Sequence, residues 1–113
     1  MTKYRIIFLE LVKEFLDKLN SKIRKKVLYN AWKSTEVNDP ELLKKLSGNI
    51  WEFRTKFLTT QIRLLAFWDK TEKTDTLVIA THGFIKKTRK TPKAEIEKAE
   101  KIREHYFKDK KEV

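Results

Sequence analysis

The stretch Trp51-Glu52-Phe53-Arg54-Thr55-Lys56-Phe57 decides the fold class, because its residues alternate with a period of two. In a strand, the three aromatic residues share one face, and Glu52, Arg54 and Lys56 share the other. Two further strands are expected downstream, at about 61–68 and 77–84. The last of them is apolar enough to be covered on both faces. Three consecutive strands with short connections predict an antiparallel meander.

A strand and two helices are expected before this meander. The run 4–9 is short, apolar and β-branched, which indicates a strand, with the first turn of the following helix as the alternative. Apolar residues then recur at helical spacing over 11–19 and again over 23–32. Ser21 is the expected N-cap of the second helix. A tight turn between two such helices predicts an N-terminal helical hairpin.

Two helical segments complete the expected element order. Leucines within 42–46 predict a helical turn, and the polar stretch 69–75 predicts a hairpin loop. The last helix is expected to have Thr91 as its N-cap and Pro92 as its first residue, and to end in a charged tail at 108–113. The chain is thus predicted to be one α+β domain over its full length, with a small antiparallel-dominated sheet, an N-terminal helical hairpin and a C-terminal helix.

Composition narrows the possible partners. The 113 residues include 27 Lys and Arg against 16 Asp and Glu, for a net charge of +11, and no cysteine. Disulfides and thiolate chemistry are therefore excluded. The apolar runs are too short to cross a membrane and no signal peptide is visible, so we expect a cytoplasmic protein without a membrane partner. The charge fits either a nucleic acid or a membrane surface and favours the nucleic acid, because the cations are spread along the chain, with an acidic protein partner or mere solubility as further alternatives.

Cations are concentrated in two places. The segment 84–93 holds five cations and no acid, and it joins the end of a strand to the start of a helix. Both features attract phosphate. Arg54 and Arg63 form the second concentration, since neighbouring antiparallel strands can present them on one face to a phosphodiester. A salt bridge between Glu52 and Arg63, or an ordinary polar face, is the alternative.

Motifs for metal binding or nucleophilic catalysis are absent from the sequence, so we predict no metal and no cofactor. RNA cleavage needs neither, because the 2′-OH of RNA can attack the adjacent phosphorus. The candidate catalytic residues are Arg54, Arg63, Lys86, Lys87 and His82, with a structural role as the alternative for His82. The candidate RNA-binding residues are Arg24, Lys25, Lys26, Lys45, Lys56, Arg89 and Lys90. Lys86 or Lys87 is suited to move a proton, because neighbouring cations lower the pKa of a lysine.

Three segments resemble the RelE/ParE superfamily of type II toxins. Lys45-Leu46-Ser47-Gly48-Asn49-Ile50-Trp51-Glu52-Phe53-Arg54 is similar to its K-L-x-G-x-L-W-E-L-R segment, and Ile62-Arg63-Leu64-Leu65-Ala66-Phe67 to its Y-R-I-x-Y-F strand. His82-Gly83-Phe84-Ile85-Lys86-Lys87-Thr88-Arg89-Lys90-Thr91-Pro92 is similar to L-H-G-F-x-K-K-T-x-K-T-P, which is typical of the HigB-type, phage-derived branch. The resemblance extends from about Phe15 to Tyr106.

This resemblance implies a RelE-like fold and a toxin that cleaves mRNA, usually on the translating ribosome. It also implies neutralisation by a cognate helix-turn-helix, HigA-like antitoxin. In RNA-cleaving relatives, basic residues matching Arg54, Arg63 and Lys86 or Lys87 bind and activate the scissile phosphate. Tyr106 is a weak counterpart of a tyrosine that assists some relatives. The ParE branch poisons DNA gyrase instead, so a gyrase-binding toxin is the first alternative and a non-toxic nucleic-acid-binding domain the second.

Overall fold

The chain alternates between helices and a single sheet in the computed structural model, which describes residues 4–72 and 76–111. The elements in chain order are β1 (Arg5–Phe8), α1 (Glu10–Lys18), α2 (Ser21–Glu36), β2 (Leu43–Ser47), β3 (Ile50–Phe57), β4 (Thr60–Asp69), β5 (Leu77–Lys86) and α3 (Lys93–Lys111). This confirms the predicted α+β class with its N-terminal helical hairpin and C-terminal helix. The arrangement is compatible with a RelE-like fold.

The sheet has the strand order β1-β5-β4-β3-β2. Strands β2 to β5 form an antiparallel meander, and β1 pairs with β5 in parallel. The meander therefore has one strand more than predicted. The helical turn predicted at 42–46 is wrong, because this segment pairs with β3 and packs Leu43 and Leu46 into the cores on opposite faces of the sheet. Pairing at the edge of an existing sheet outweighs the local helical spacing.

Two hydrophobic cores cover the two faces of the sheet. Beneath α1 and α2, Val12 and Val27 pack against strand residues such as Leu64. Beneath α3, Ala99 packs against strand residues such as Phe67. Strand β5 contacts α1 and α3, so its predicted position between two covering layers is confirmed.

The helix starts differ from the predicted ones by one or two residues. The N-cap of α2 is Asn20, whose side chain accepts a hydrogen bond of 2.9 Å from the Ile23 N–H, and Ser21 is the first helical residue. The helix α3 begins after Pro92, whose carbonyl accepts from the Glu95 N–H at 3.0 Å. Thr91 is not its cap, because the Thr91 hydroxyl donates elsewhere, as described below.

The charged C-terminal stretch is largely helical. The helix α3 continues to Lys111, so the predicted tail is wrong for 108–111, and 112–113 lie outside the described residues. The predicted loop at 69–75 begins inside β4, and 73–75 also lie outside the described residues. Over the described part of the chain, no helix combines the length and apolarity needed to cross a membrane.

A buried carboxylate holds the C-terminal half of α3 on the sheet. Asp69, at the end of β4, is fully buried and accepts hydrogen bonds from the Tyr106 hydroxyl at 2.6 Å and Lys110 Nζ at 2.8 Å. It also accepts from the backbone N–H and the hydroxyl of Thr71. Burial alone would raise the pKa of Asp69, but the bonds from Lys110, Tyr106 and Thr71 hold it well below its usual range.

We expect Asp69→Asn to lower the free energy of unfolding by about 2 kcal/mol near neutral pH, because charge-assisted hydrogen bonds are lost. The folded-state pKa of Asp69 is depressed, so the stabilisation is complete above the unfolded pKa of about 3.9 and fades as the pH falls towards the folded value. The difference between the two proteins should therefore shrink in acid. Urea unfolding at about pH 7 and about pH 3 measures it. Asp109→Asn, on the exposed side of α3, is the matched control, and an equal loss at both pH values would contradict the prediction.

Candidate functional site

The two strand arginines face each other across adjacent strands. Arg54 on β3 is directly opposite Arg63 on β4, which confirms that they share one face of the sheet. Glu52 lies on the same face, with Oε1 3.6 Å from Arg54 Nε and 3.4 Å from Arg63 Nε. The salt bridge between Glu52 and Arg63 that the sequence left open is therefore present, and Glu52 also forms one with Arg54.

The two arginines differ in exposure. The side chain of Arg54 is 31% exposed, whereas that of Arg63 is 4% exposed. The guanidinium of Arg63 donates at 3.0 Å to the Ile62 carbonyl and at 3.0 Å to the Gln61 side chain. Burial lowers the pKa of Arg63, and the negative charge of Glu52 opposes that shift. The prediction that both arginines are accessible on this face is thus confirmed for Arg54. It is wrong for Arg63, which is buried.

Lys86 lies on the same face of the sheet as these arginines. It is the last residue of β5 and pairs with Gln61, while Phe84 pairs with Arg63. Burial lowers the pKa of Lys86, and the charge of Arg63 lowers it further, against the effect of Glu52. Lys87 follows the strand and is exposed. We call Arg54, Arg63 and Lys86, arranged around Glu52, the cationic cluster.

His82 lies at a β-bulge in β5. Leu65 pairs with His82 and Ala66 pairs with Ala80, so Thr81 is an extra residue in this strand. The ring of His82 is 3% exposed, with Nδ1 2.9 Å from the Thr81 hydroxyl and Nε2 3.1 Å from a Glu95 carboxylate oxygen. Burial lowers the pKa of His82, and the hydrogen bond with Glu95 opposes this. With both nitrogens engaged, the geometry favours a structural link between β5 and α3.

The start of α3 is attached to the cationic cluster. The Thr91 hydroxyl donates a hydrogen bond to a carboxylate oxygen of Glu52. Arg89 and Lys90 are exposed on the connection just before it. Within this connection, the Thr88 hydroxyl donates to the Lys90 carbonyl at 2.6 Å. The connection between β5 and α3 therefore ends beside the arginines. This brings Arg89 and Lys90 near the surface of the cationic cluster.

A cleft of about 490 Å³ opens beside the cluster, between α2 and the part of β3 beyond its pairing with β2. We call it the edge cleft. Its walls carry five cations and two acids: Lys26, Lys33, Arg54, Lys56 and Arg63, with Asp39 and Glu41. The Asn30 amide donates to the Thr55 hydroxyl at 3.2 Å, which fixes α2 against β3. Such an excess of cations suits a phosphate backbone.

The predicted RNA-binding residues divide between this cleft and other surfaces. Lys26 and Lys56 line the edge cleft. Arg24 donates to the Leu19 carbonyl at 3.4 Å at the start of α2, and Lys25 and Lys45 are exposed on α2 and β2. Lys33 was not among the candidates, although its spacing of two helical turns from Lys26 could have indicated it.

Tyr106 lies away from the cationic cluster, and the acidic residues form no metal-binding group in the described part of the chain. The Tyr106 hydroxyl is bound to Asp69 at the other end of β4, and burial together with Asp69 raises the pKa of Tyr106 to about 12. Within residues 4–72 and 76–111, no three His, Asp or Glu side chains are grouped so that they could hold a metal ion.

Comparison with known proteins gives one family match. The model of the family described as phage derived protein Gp49-like (DUF891) matches residues 14–104. This range includes the whole cationic cluster and every residue that lines the edge cleft. No curated protein matches the chain.

We expect Arg63→Ala to lower the free energy of unfolding by about 3 kcal/mol, because it leaves the buried Glu52 carboxylate without its nearest cation. Arg54→Ala should cost less than about 1 kcal/mol, since Arg54 is partly exposed and Arg63 remains to pair with Glu52. Urea unfolding of both variants measures the difference, with Lys56→Ala as the exposed control on the same strand. Equal losses at positions 54 and 63 would contradict the distinction between a buried and an accessible arginine.

Proposed function

The chain belongs to the phage-derived Gp49-like family, a type II toxin family related to RelE, and from that premise we propose that it is a HigB-type, ribosome-dependent mRNA endoribonuclease. The observation that supports this activity is the cationic cluster, with Arg54, Arg63 and Lys86 on one face of the sheet. The edge cleft beside it offers a path for the RNA backbone.

The proposed reaction is internal transfer of the phosphodiester. The 2′-oxygen of the ribose attacks the adjacent phosphorus and loses its proton, while the bond from phosphorus to the 5′-oxygen breaks. The 5′-oxygen takes up a proton, so the products are a 2′,3′-cyclic phosphate and a 5′-hydroxyl. The protein has to hold the strand in line, stabilise the extra negative charge of the phosphorane and move two protons. No cofactor or metal takes part in this scheme.

The cluster residues suit different parts of this task. Arg54 is exposed enough to donate to the non-bridging oxygens of the scissile phosphate. Arg63 is buried, so it does not contact the phosphate directly. It adds positive charge beneath the surface that Arg54 exposes, and it holds Glu52 in place. Lys86, with its lowered pKa, is the cation best suited to give a proton to the 5′-oxygen.

Further cations bind the flanking phosphates in this proposal. Lys26 and Lys56 do so inside the edge cleft. The others are exposed or partly exposed on neighbouring surfaces: Arg24, Lys25, Lys45, Lys87, Arg89 and Lys90. His82 acts by fixing β5 to α3 and thereby the position of Lys86.

A toxin family implies a cognate antitoxin. We propose a cytoplasmic complex with a helix-turn-helix, HigA-like antitoxin whose contact surface is acidic, because this chain has a net charge of +11. Complementary charge accelerates association, and that effect weakens with salt.

We expect Arg54→Ala and Lys86→Ala each to slow mRNA cleavage by about 30- to 1000-fold, which corresponds to the loss of about 2–4 kcal/mol of transition-state stabilisation. Single-turnover cleavage of mRNA on purified ribosomes measures this. Lys13→Ala, an exposed cation on α1, is the charge-matched control. Mapping of transcript 5′ ends after induction in cells extends the test, and growth arrest without new 5′ ends but with inhibited DNA supercoiling would instead identify a gyrase-binding toxin.

A proton-donating Lys86 predicts a specific pH dependence. Only its charged form donates, so the cleavage rate should fall as the pH rises through its pKa, which burial and Arg63 lower. We expect Lys86→Arg to keep the charge, lose this alkaline limb and cleave about 100-fold more slowly near neutral pH. Single-turnover rates across the pH range measure both effects. If the arginine variant keeps the wild-type rate and profile, Lys86 contributes charge alone.

A further inference from the structure

A second cavity adjoins the edge cleft and lies between the C-terminal end of α2 and the sheet. It has a volume of about 310 Å³ and is lined by Tyr4, Ser34, Val37, Asn38, Asp39, Leu43, Trp51 and Trp68. We call it the aromatic cavity. Leu43 and Trp68 pack with the core beneath α1 and α2, so the cavity is on the face of the sheet opposite to the buried arginine.

The aromatic walls are held in fixed positions. Tyr4 and Trp51 both meet the Trp68 ring nearly edge-on, with centroid distances of 5.0 and 5.5 Å. The Tyr4 hydroxyl donates to Ser34 Oγ at 2.7 Å, and the Ser34 hydroxyl donates to the Ala31 carbonyl at 2.6 Å. These bonds fix Tyr4 to α2, so the shape of the cavity is established before any ligand binds.

Some polar groups of the cavity have hydrogen-bonding capacity that the described residues do not satisfy. The indole Nε1–H of Trp68 is buried and has no hydrogen-bond acceptor among the residues that the structure describes. A buried indole N–H normally has a partner, so a ligand acceptor that reaches Trp68 Nε1 would complete its hydrogen bonding. The exposed Asn38 side chain adds a donor and an acceptor at the rim. One Asp39 carboxylate oxygen accepts from the Glu41 N–H at 2.9 Å.

Asp39 connects the two cavities, because it lines both the aromatic cavity and the edge cleft. A continuous surface therefore passes from five cations to three aromatic rings. Single-stranded RNA presents the same two features, phosphates along its backbone and unpaired bases beside them. Proteins that bind such strands combine cations for the backbone with aromatic side chains for the bases.

We propose that the aromatic cavity binds an unpaired nucleobase of the RNA whose phosphates occupy the edge cleft. This inference rests on the proposed RNA-cleaving function and adds a base-binding site to it. A base edge carries acceptors and donors that match Trp68 Nε1–H and Asn38. An apolar side chain of a protein partner would fill the same space and leave the buried N–H unpaired.

The three tryptophans provide the test, since each has one indole N–H signal in a ¹⁵N–¹H NMR spectrum. Trp51→Phe, Trp68→Phe and Trp32→Phe assign the signals. We expect the four nucleoside 5′-monophosphates to shift the Trp68 signal and ribose 5-phosphate to leave it unchanged. The Trp32 signal is the internal control, because Trp32 is 56% exposed and does not line the aromatic cavity.

Two variants measure what the contacts contribute. Trp68→Phe keeps an aromatic ring and removes the N–H, and we expect it to weaken nucleotide affinity by about tenfold. Asn38→Ala changes only an exposed side chain and should weaken affinity by a similar factor without altering the urea unfolding curve. The proposal is overturned if neither variant changes affinity, or if ribose 5-phosphate shifts the Trp68 signal as strongly as the nucleotides do.

The remaining outcomes separate this proposal from the function on which it rests. A protein that cleaves mRNA normally but shows no Trp68 shift with nucleotides keeps the proposed function and loses the base site. A protein that binds nucleotides here but cleaves no mRNA on the ribosome keeps the base site and loses the endoribonuclease. If only the cognate antitoxin shifts the Trp68 signal, the cavity binds protein and this inference is wrong.

Discussion

The buried carboxylate of Glu52 is the interaction on which the site depends. Arg54 and Arg63 are directly opposite each other, and two like charges in such positions repel. Glu52 lies between them with its side chain only 3% exposed and offsets that repulsion. The same carboxylate accepts from Thr91, so it also fixes the start of α3. Charge balance within the sheet and attachment of the helix thus rest on one side chain.

The helix α3 is held by polar contacts near both of its ends. Near its start, Thr91 and Glu95 bind Glu52 and His82. Near its end, Tyr106 and Lys110 bind Asp69. A helix of 19 residues is about 28 Å long, so these contacts span most of one face of the sheet. The start of α3 contacts the cationic cluster, and the contacts with Asp69 at the far end of the helix help to fix its position.

Features that follow from local periodicity were predictable from the sequence. The period of two in β3 placed Arg54 on the face opposite the aromatic residues, and the same rule for β4 placed Arg63 beside it. The alternation of β5 also predicts that Lys86 and not Lys87 lies on the face of the arginines. Phe84 faces the core beneath α3, and Lys86 follows it by two residues.

Features that depend on distant contacts were not predictable in this way. The exposure of Arg63 depends on the positions of the Ile62 carbonyl and Gln61 around it, and the role of Thr91 depends on Glu52, which lies far away in the sequence. The strand at Leu43–Ser47 forms because the edge of β3 is available to pair with it. The local pattern of 42–46 does not indicate that the edge of β3 is free to pair. The helical spacing of the leucines there therefore led to a wrong prediction.

The parallel pairing of β1 with β5 has a consequence for how the chain is made. The strand β1 is synthesised well before β5, but β5 is its one paired neighbour within residues 4–72 and 76–111. Closing so long a loop is entropically costly, and folds dominated by such contacts form slowly. The antiparallel meander can assemble from sequential hairpins, whereas β1 has to wait for β5. Lys86 is the last residue of β5, so the cationic cluster is completed only after β5 has been synthesised, and a chain terminated before Lys86 lacks it.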